Sequence, residues 1–197
     1  MRHKGVGKAE TRSKILNAVS RGFRKFGFSG IGVDGLAKLA GVTSGAFYAH
    51  LGSKSAAFEA ALTVGLDEVI AAVPKFQQQH GQDWLHEFCH YYLGKRHRDD
   101  LECGCAMASL TTEVVRSDPH IQDIFENKMQ QIAGLMAEGL EGGTIEERNE
   151  RAWAVLSILI GGLNFCRAVK QKKTAEDLSH IFIAYALEAA GKCSDNP

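Results

Sequence analysis

The chain has 197 residues, 45% hydrophobic and 23% charged, with 23 Lys/Arg balanced by 23 Asp/Glu. That composition excludes a disordered polymer and fits one globular domain or two small ones. Zero net charge by itself argues against a nucleic-acid binder, yet residues 1–54 hold ten Lys/Arg against only Glu10 and Asp34, which leaves the remainder acidic.

This asymmetry suggests a basic module that attracts phosphate and an acidic body that does not. A chance fluctuation on solvated faces is the alternative. Five cysteines, odd in number and irregular in spacing, argue against a disulfide scaffold and for a reducing cytoplasm. No apolar stretch follows the charged N-terminus as in a leader. The most apolar run, residues 152–166, falls short of the roughly 20 residues a bilayer span takes. The expected location is therefore cytoplasmic and off the membrane.

Residues 1–9 are basic and contain glycine, an arm able to reach a duplex or a plain tail. Ile15, Val19, Phe23 and Phe26 recur at steps of three and four, predicting a helix over 10–26 that Gly27 stops and that leaves Arg12, Arg21, Arg24 and Lys25 outward. Residues 33–54, VDGLAKLAGVTSGAFYAHLGSK, read as two short helices around a tight turn. Leu36, Ala37, Leu39 and Ala40 form the apolar face of the first. Gly41 ends it because it takes positive φ without steric cost. Thr43 suits the N-cap of the second helix, where Phe47 and Leu51 face inward together. Tyr48 and His50 then point outward, and the small Ser44, Gly45 and Ala46 let this helix end approach base edges in a major groove.

Ser53 caps a helix predicted over 54–73, with Ala57, Phe58, Ala61, Leu62 and Leu66 inward and Pro74 closing it. A helix over 82–96 carries Trp84, Leu85, Phe88, Tyr91 and Tyr92. A loop over 99–106 holds Cys103 and Cys105 and leads to a helix over 107–115. Ser117-Asp118-Pro119 starts the next, by a cap followed by Pro in the first turn. Gly142-Gly143 ends it. Thr144 to Glu147 has capping-box form, and Thr174 to Asp177 repeats the pattern before the last helix. No segment alternates with period two. The fold class predicted is all-α, with about nine helices: a helix-turn-helix domain at 1–54 and a helical effector-binding and dimerisation domain at 55–197.

The pattern Leu36-Ala37, Ala40-Gly41-Val42-Thr43, Gly45, Phe47-Tyr48, His50 and Ser53-Lys54 resembles the helix-turn-helix of the tetracycline-repressor (TetR/AcrR) family of bacterial transcription regulators. The resemblance covers about residues 10–62. It departs at Gly32, where the family usually has a phosphate-contacting Thr, at Leu51, often Phe, and at Ser55, often Glu. The resemblance implies Tyr48 and Lys54 as phosphate contacts, with Thr43, Ser44, Gly45 and Ala46 nearest the bases, and His50, outward on the same helix, is a further expected DNA contact. Physically, Tyr and Lys position a duplex without reading it, while Ser44 is adaptable and Ala46 can touch a thymine methyl. The competing reading packs Tyr48 on the following helix and leaves His50 a solvated surface residue.

The two last long helices are apolar over more than one face. Trp153, Leu156, Ile160, Leu163, Ile181, Phe182 and Tyr185 are therefore expected to meet their twofold copies in a four-helix dimer interface, with the Gly161-Gly162 pair allowing close approach. A purely intrachain core is the alternative. The resemblance also implies an apolar effector cavity, for which Trp84, Phe88, Tyr92, Met107, Phe125, Met129 and Trp153 are the candidates, each also a plausible core residue. Cys105 stands where some relatives place a redox-sensing cysteine, and a helix N-terminus favours a thiolate; a small buried hydrophobe is the bland reading. His86 and His90 at i and i+4 have metal-ligand spacing, but no acidic cluster completes a site and none is assigned. No G-x-S-x-G, phosphate loop or HExxH is present, so no enzyme and no cofactor is expected. The expected function is a transcription regulator, a repressor, binding palindromic double-stranded DNA as a homodimer and released by an unidentified small-molecule or thiol-reactive effector. A helical carrier or an enzyme without DNA function is the alternative.

Overall fold

The computed structural model describes the backbone of residues 3–191 and the side chains of 8–191. Among these residues there are ten α-helices, one 3-10 turn and no strand. None of the helices is long and apolar enough to cross a membrane. Two compact units form: residues 1–65 with 101–125, and residues 66–100 with 126–197. The first unit thus extends beyond the helix-turn-helix and takes in a segment from the middle of the chain.

The first unit holds α1 (His3–Phe26), α2 (Val33–Leu39), α3 (Ser44–Leu51), the start of α4 (Lys54–His80), α7 (Ala106–Val114) and the start of α8 (Pro119–Gly139). Helix α1 begins at His3, so the described part of the N-terminal arm is helical; Met1 and Arg2 lie outside the described residues. Ile15, Leu16, Val19 and Phe23 are buried with Leu36, Ala37, Phe47, Leu51, Phe58 and Leu62. Phe23 and Phe58 meet edge to face at 5.4 Å, and Phe28 completes the cluster at 5.3 Å from Phe58. Phe26, predicted in the inward stripe, is 44% exposed. Leu16 joins the buried stripe, while Phe26 is the last residue of α1, where the helix stops. Leu39 is likewise exposed.

The second unit holds the rest of α4, a 3-10 turn (Gly81–Asp83), α5 (Trp84–Tyr92), α6 (Lys95–Asp99), the rest of α8, α9 (Ile145–Ala168) and α10 (Lys172–Ala189). Helix α4 runs through Pro74 to His80 instead of stopping there. A proline removes one backbone donor, and here side-chain contacts hold the turns beyond it: Phe76 packs edge to face on Phe88 at 5.4 Å, and Gln77 Nε2 donates to Leu135 O at 2.7 Å. The helix predicted over 82–96 is broken at Leu93-Gly94 into α5 and α6. Trp84 Nε1 donates to Gly139 O at 2.9 Å and so fixes the start of α5 against the end of α8.

Helix α9 starts with the predicted capping box: Glu147 N donates to Thr144 Oγ1, and Thr144 N to Glu147 Oε2. Helix α10 does not start at the predicted repeat of that pattern. It begins at Lys172, three residues before the start such a cap would set, with Gln171 at an N-cap that makes no side-chain bond. The two helices pack closely because Gly162 lies under Phe182, where an added Cβ would come within 2.9 Å of the ring. This close approach is intrachain. Leu156 and Leu163, predicted to face a second subunit, are 1% and 0% exposed within this same unit. They are core residues of this unit, while Trp153, three residues before Leu156, stands at its edge.

Candidate nucleic-acid interface

The turn between α2 and α3 follows from four residues. Ala40 N donates to Leu36 O, Gly41 takes φ +67°, Val42 N donates to Ala37 O at 3.0 Å, and Thr43 Oγ1 accepts from Ala46 N at 3.1 Å. A residue with a Cβ would be strained at Gly41. Helix α2 has no side-chain cap at Gly32, and Asp34 in its first turn complements the helix dipole instead. Phe47 and Leu51 of α3 are buried at 0% and 6%, which anchors the helix by one face.

The opposite face holds the predicted contact residues. Thr43 and Gly45 are exposed, and Ser44 and Ala46 are half-buried. Tyr48 is 52% exposed, its ring edge on Phe47 at 5.8 Å, so it does not pack away into the module. A Cβ built at Gly45 would meet only Thr43 Oγ1, at 3.8 Å. Nothing inside the chain therefore requires glycine there. His50 departs from the outward placement: it is half-buried, its Nδ1 is shielded without a hydrogen-bond partner, and its carbonyl accepts from Arg12 Nε at 3.3 Å. Lys54 is half-buried, with Nζ 4.4 Å from the centre of the Phe28 ring.

Three polar contacts of this module were not legible in the sequence. Ser44 Oγ donates to Asp34 Oδ1. The Glu102 carboxylate accepts from Arg21 Nη2 at 2.7 Å and from Lys25 Nζ at 2.6 Å, and these two cations hold it below the ordinary carboxylate value. The third is the Arg12–His50 bond. Their partners stand 10 to 81 residues apart, and no periodicity encodes such pairs.

Residues 15–61 match the family model for bacterial regulatory proteins of the tetR family. The chain therefore carries, over residues 15–61, the DNA-binding module of the tetR family of regulators. It is a DNA-binding transcription regulator with an all-α fold. Solved structures share this fold at low identity. A TetR-family regulator from Cytophaga hutchinsonii matches with TM-score 0.77 and 15% identity, covering 96% of this chain and 98% of its own. One from Agrobacterium tumefaciens matches with TM-score 0.75 and 13% identity, covering 89% and 97%. The reduced form of NemR from E. coli matches with TM-score 0.73 and 18% identity, covering 88% and 95%. No curated protein matches the chain.

The other predicted site residues fall apart into groups. Trp84, Phe88, Tyr92 and Met129 are buried in the second unit, Met107 is buried in the first, and Phe125 is half-buried at the end of the first. None of them lines the cavities described in either unit. Trp153, predicted for both the cavity and the dimer face, is 36% exposed on α9 and lines none of these cavities. With it on the surface of α9 and α10 are Ile181 at 48%, Tyr185 at 59%, and Phe165 at 64%, which the sequence reading missed. Ile160 and Phe182 are half-buried beside them. Cys105 precedes the first residue of α7 and is 8% exposed, while Cys103 is exposed. The His86 and His90 rings lie 4.4 Å apart, and burial followed by the charge of His86 lowers the pKa of His90. Among the described residues no group of three or more ligands is placed to hold a metal.

Proposed function

We propose that the protein is a homodimeric repressor that places α3 of each subunit in successive major grooves of a palindromic operator. Thr43, Ser44, Gly45 and Ala46 lie nearest the bases, Tyr48 and Lys54 contact phosphate, and His50 supports the helix rather than touching DNA. The observation that carries this reading is the combination of exposed Tyr48 with a glycine at position 45 that its own chain does not need. A small residue at the leading end of an exposed helix leaves room for the duplex.

One eight-residue helix spans few base pairs, so useful affinity requires two copies. The exposed apolar surface of Trp153, Phe165, Ile181 and Tyr185 supports self-association, since soluble monomers rarely leave large side chains of this kind together. Residues 1–54 then serve DNA binding, and residues 55–197 dimerisation and effector binding, in the cytoplasm and without a catalytic step.

The effector is a small molecule or a thiol-reactive compound. It acts only through its different affinity for the DNA-matched and unmatched dimer geometries. For a thiol-reactive compound the target is Cys105. Its burial means that attack follows local opening of the segment before α7.

Gel shifts with the DNA upstream of the protein's own gene, run over a salt series, test the reading. Saturable binding to a palindrome that weakens steeply with salt is the expected result. A chain that remains monomeric and binds all duplexes equally refutes it.

A further inference from the structure

The second unit contains a cavity of ≈ 360 Å³ where α6 lies against the end of α9 and the start of α10. Its volume falls within the range of small-molecule sites. Five cations line it, Lys95, Arg98, Arg167, Lys170 and Lys172, against two carboxylates, Asp99 and Glu176. This is a local excess of positive charge inside the acidic part of the chain.

Both guanidinium groups donate to backbone or hydroxyl oxygens of the same unit. Arg98 Nη1 donates to Ser179 Oγ at 2.6 Å and to Leu93 O at 3.2 Å. Arg167 donates to His97 O from Nε at 3.0 Å and from Nη2 at 2.7 Å. For Arg98 such bonds fix orientation without cancelling charge. Among the described residues no carboxylate lies within ion-pair distance of Lys95, Arg98, Lys170 or Lys172.

The start of α10 adds a second, independent feature. It has no side-chain cap and no acidic residue in its first turn, and it opens with Lys172-Lys173. Cations at the positive end of a helix dipole are unfavourable, and unpaired N-terminal amides attract anions. The negative end of α9, at Ala168, offsets Arg167 and Lys170 in part, but Lys172 already lies within α10. Cys166, Val169 and Ala175 give the cavity a small apolar wall, with Cys166 only 3% exposed. Burial pushes the Cys166 thiol up, and the Arg98 guanidinium pulls it the other way. It is therefore a neutral wall at pH 7 rather than a competing anion.

We infer that this cavity binds a small dianion, carboxylate- or phosphate-bearing, clamped by Arg98 and Arg167 with Lys170, Lys172 and the first turn of α10 around it. Planar guanidinium forks match either oxyanion. The site stands apart from the DNA reading, because its test measures binding to the full-length protein with no DNA present.

Isothermal titration calorimetry at constant ionic strength, with inorganic phosphate in one arm and succinate in the other, tests it. The expected result is saturable binding of one ion per chain by at least one of the two, and the arm that binds names the head group. Lys170→Gln with Lys172→Gln, both exposed and outside the core, should weaken it by about tenfold or more. Glu176→Gln should tighten it, a change of opposite sign that misfolding would not produce. Lys75→Gln, exposed on α4 and not in the cavity lining, should leave it unchanged. Non-saturating heats in both arms, or equal affinity in the double Lys variant, overturn the inference and leave a solvated basic surface.

Discussion

Ser44 Oγ donates to Asp34 Oδ1 at 2.5 Å, tying the first residue of α3 to the second of α2. The hydroxyl proton at the leading end of α3, the helix proposed to enter the groove, is thus already committed inside the protein, while its lone pairs stay open to a donor from a base. Ser44→Ala should cost about 0.5–1.5 kcal/mol of stability, read as a lower urea midpoint. It should leave operator affinity within about threefold. Asp34→Ala frees the Ser44 hydroxyl and removes a negative charge close to the duplex. Binding by that variant should be tighter on all sequences and less selective.

Lys54 has a local partner that the sequence did not announce, the Phe28 ring 4.4 Å away. Two roles therefore need separating. A cation–π contact at a partly exposed site contributes about 0.5–1 kcal/mol. A phosphate contact contributes about one unit to the slope of log affinity against log salt. Lys54→Ala should lower both the melting temperature and the salt slope, and should weaken binding to every sequence alike. A lower melting temperature with an unchanged slope would assign Lys54 to packing alone.

Glu102 pairs with two cations of α1, and Lys25, then Arg21, hold its carboxyl below the ordinary value of 4.5. A depressed folded-state pKa contributes stability that is fully present above the unfolded value and lost as pH falls through the folded one. Glu102→Gln should therefore flatten the loss of stability below about pH 4.5, measured by urea midpoints across an acid series. The same change releases Arg21 and Lys25. In gel shifts it should strengthen non-specific DNA binding and steepen its salt dependence. Weaker binding instead would mean that the clamp orders α1 for contact.

The parts of this fold that were readable are those where adjacent residues carry the signal. The turn at Gly41, the cap at Thr43, the capping box at Thr144 and the inward pair Phe47 and Leu51 are local chemistry, and all occur as predicted. The misreadings share another cause. Helix α4 passes Pro74 because Phe76 and Gln77 find partners in α5 and α8. Leu156 and Leu163 are core because α9 has two apolar sides, and sequence cannot say which one its own chain covers. Apolar identity likewise could not tell buried Phe88 from exposed Trp153. The convergence of Lys170 and Lys172 with Lys95 and Arg98 exists only in three dimensions, and no spacing in the sequence announces it.

The exposed side of α9 and α10 separates assembly from folding. Phe165 and Tyr185 are 64% and 59% exposed, while Leu156 on α9 is 1% exposed. Carboxylates at exposed positions barely disturb a monomer, but buried between two copies each would be an unpaired charge. Phe165→Asp with Tyr185→Asp should shift sedimentation equilibrium from dimer to monomer while the circular dichroism spectrum stays helical. Operator affinity should fall with it, because one half-site contact no longer holds the other in place. Leu156→Ala should do the reverse. It creates a cavity in the unit's own core and should cost about 2–5 kcal/mol of stability, with the dimer retained at temperatures where the variant is folded. If the aspartate pair left the dimer intact, the twofold contact would lie on another surface. If Leu156→Ala dissociated a still-folded chain, the intrachain position of that leucine would not be its role in solution.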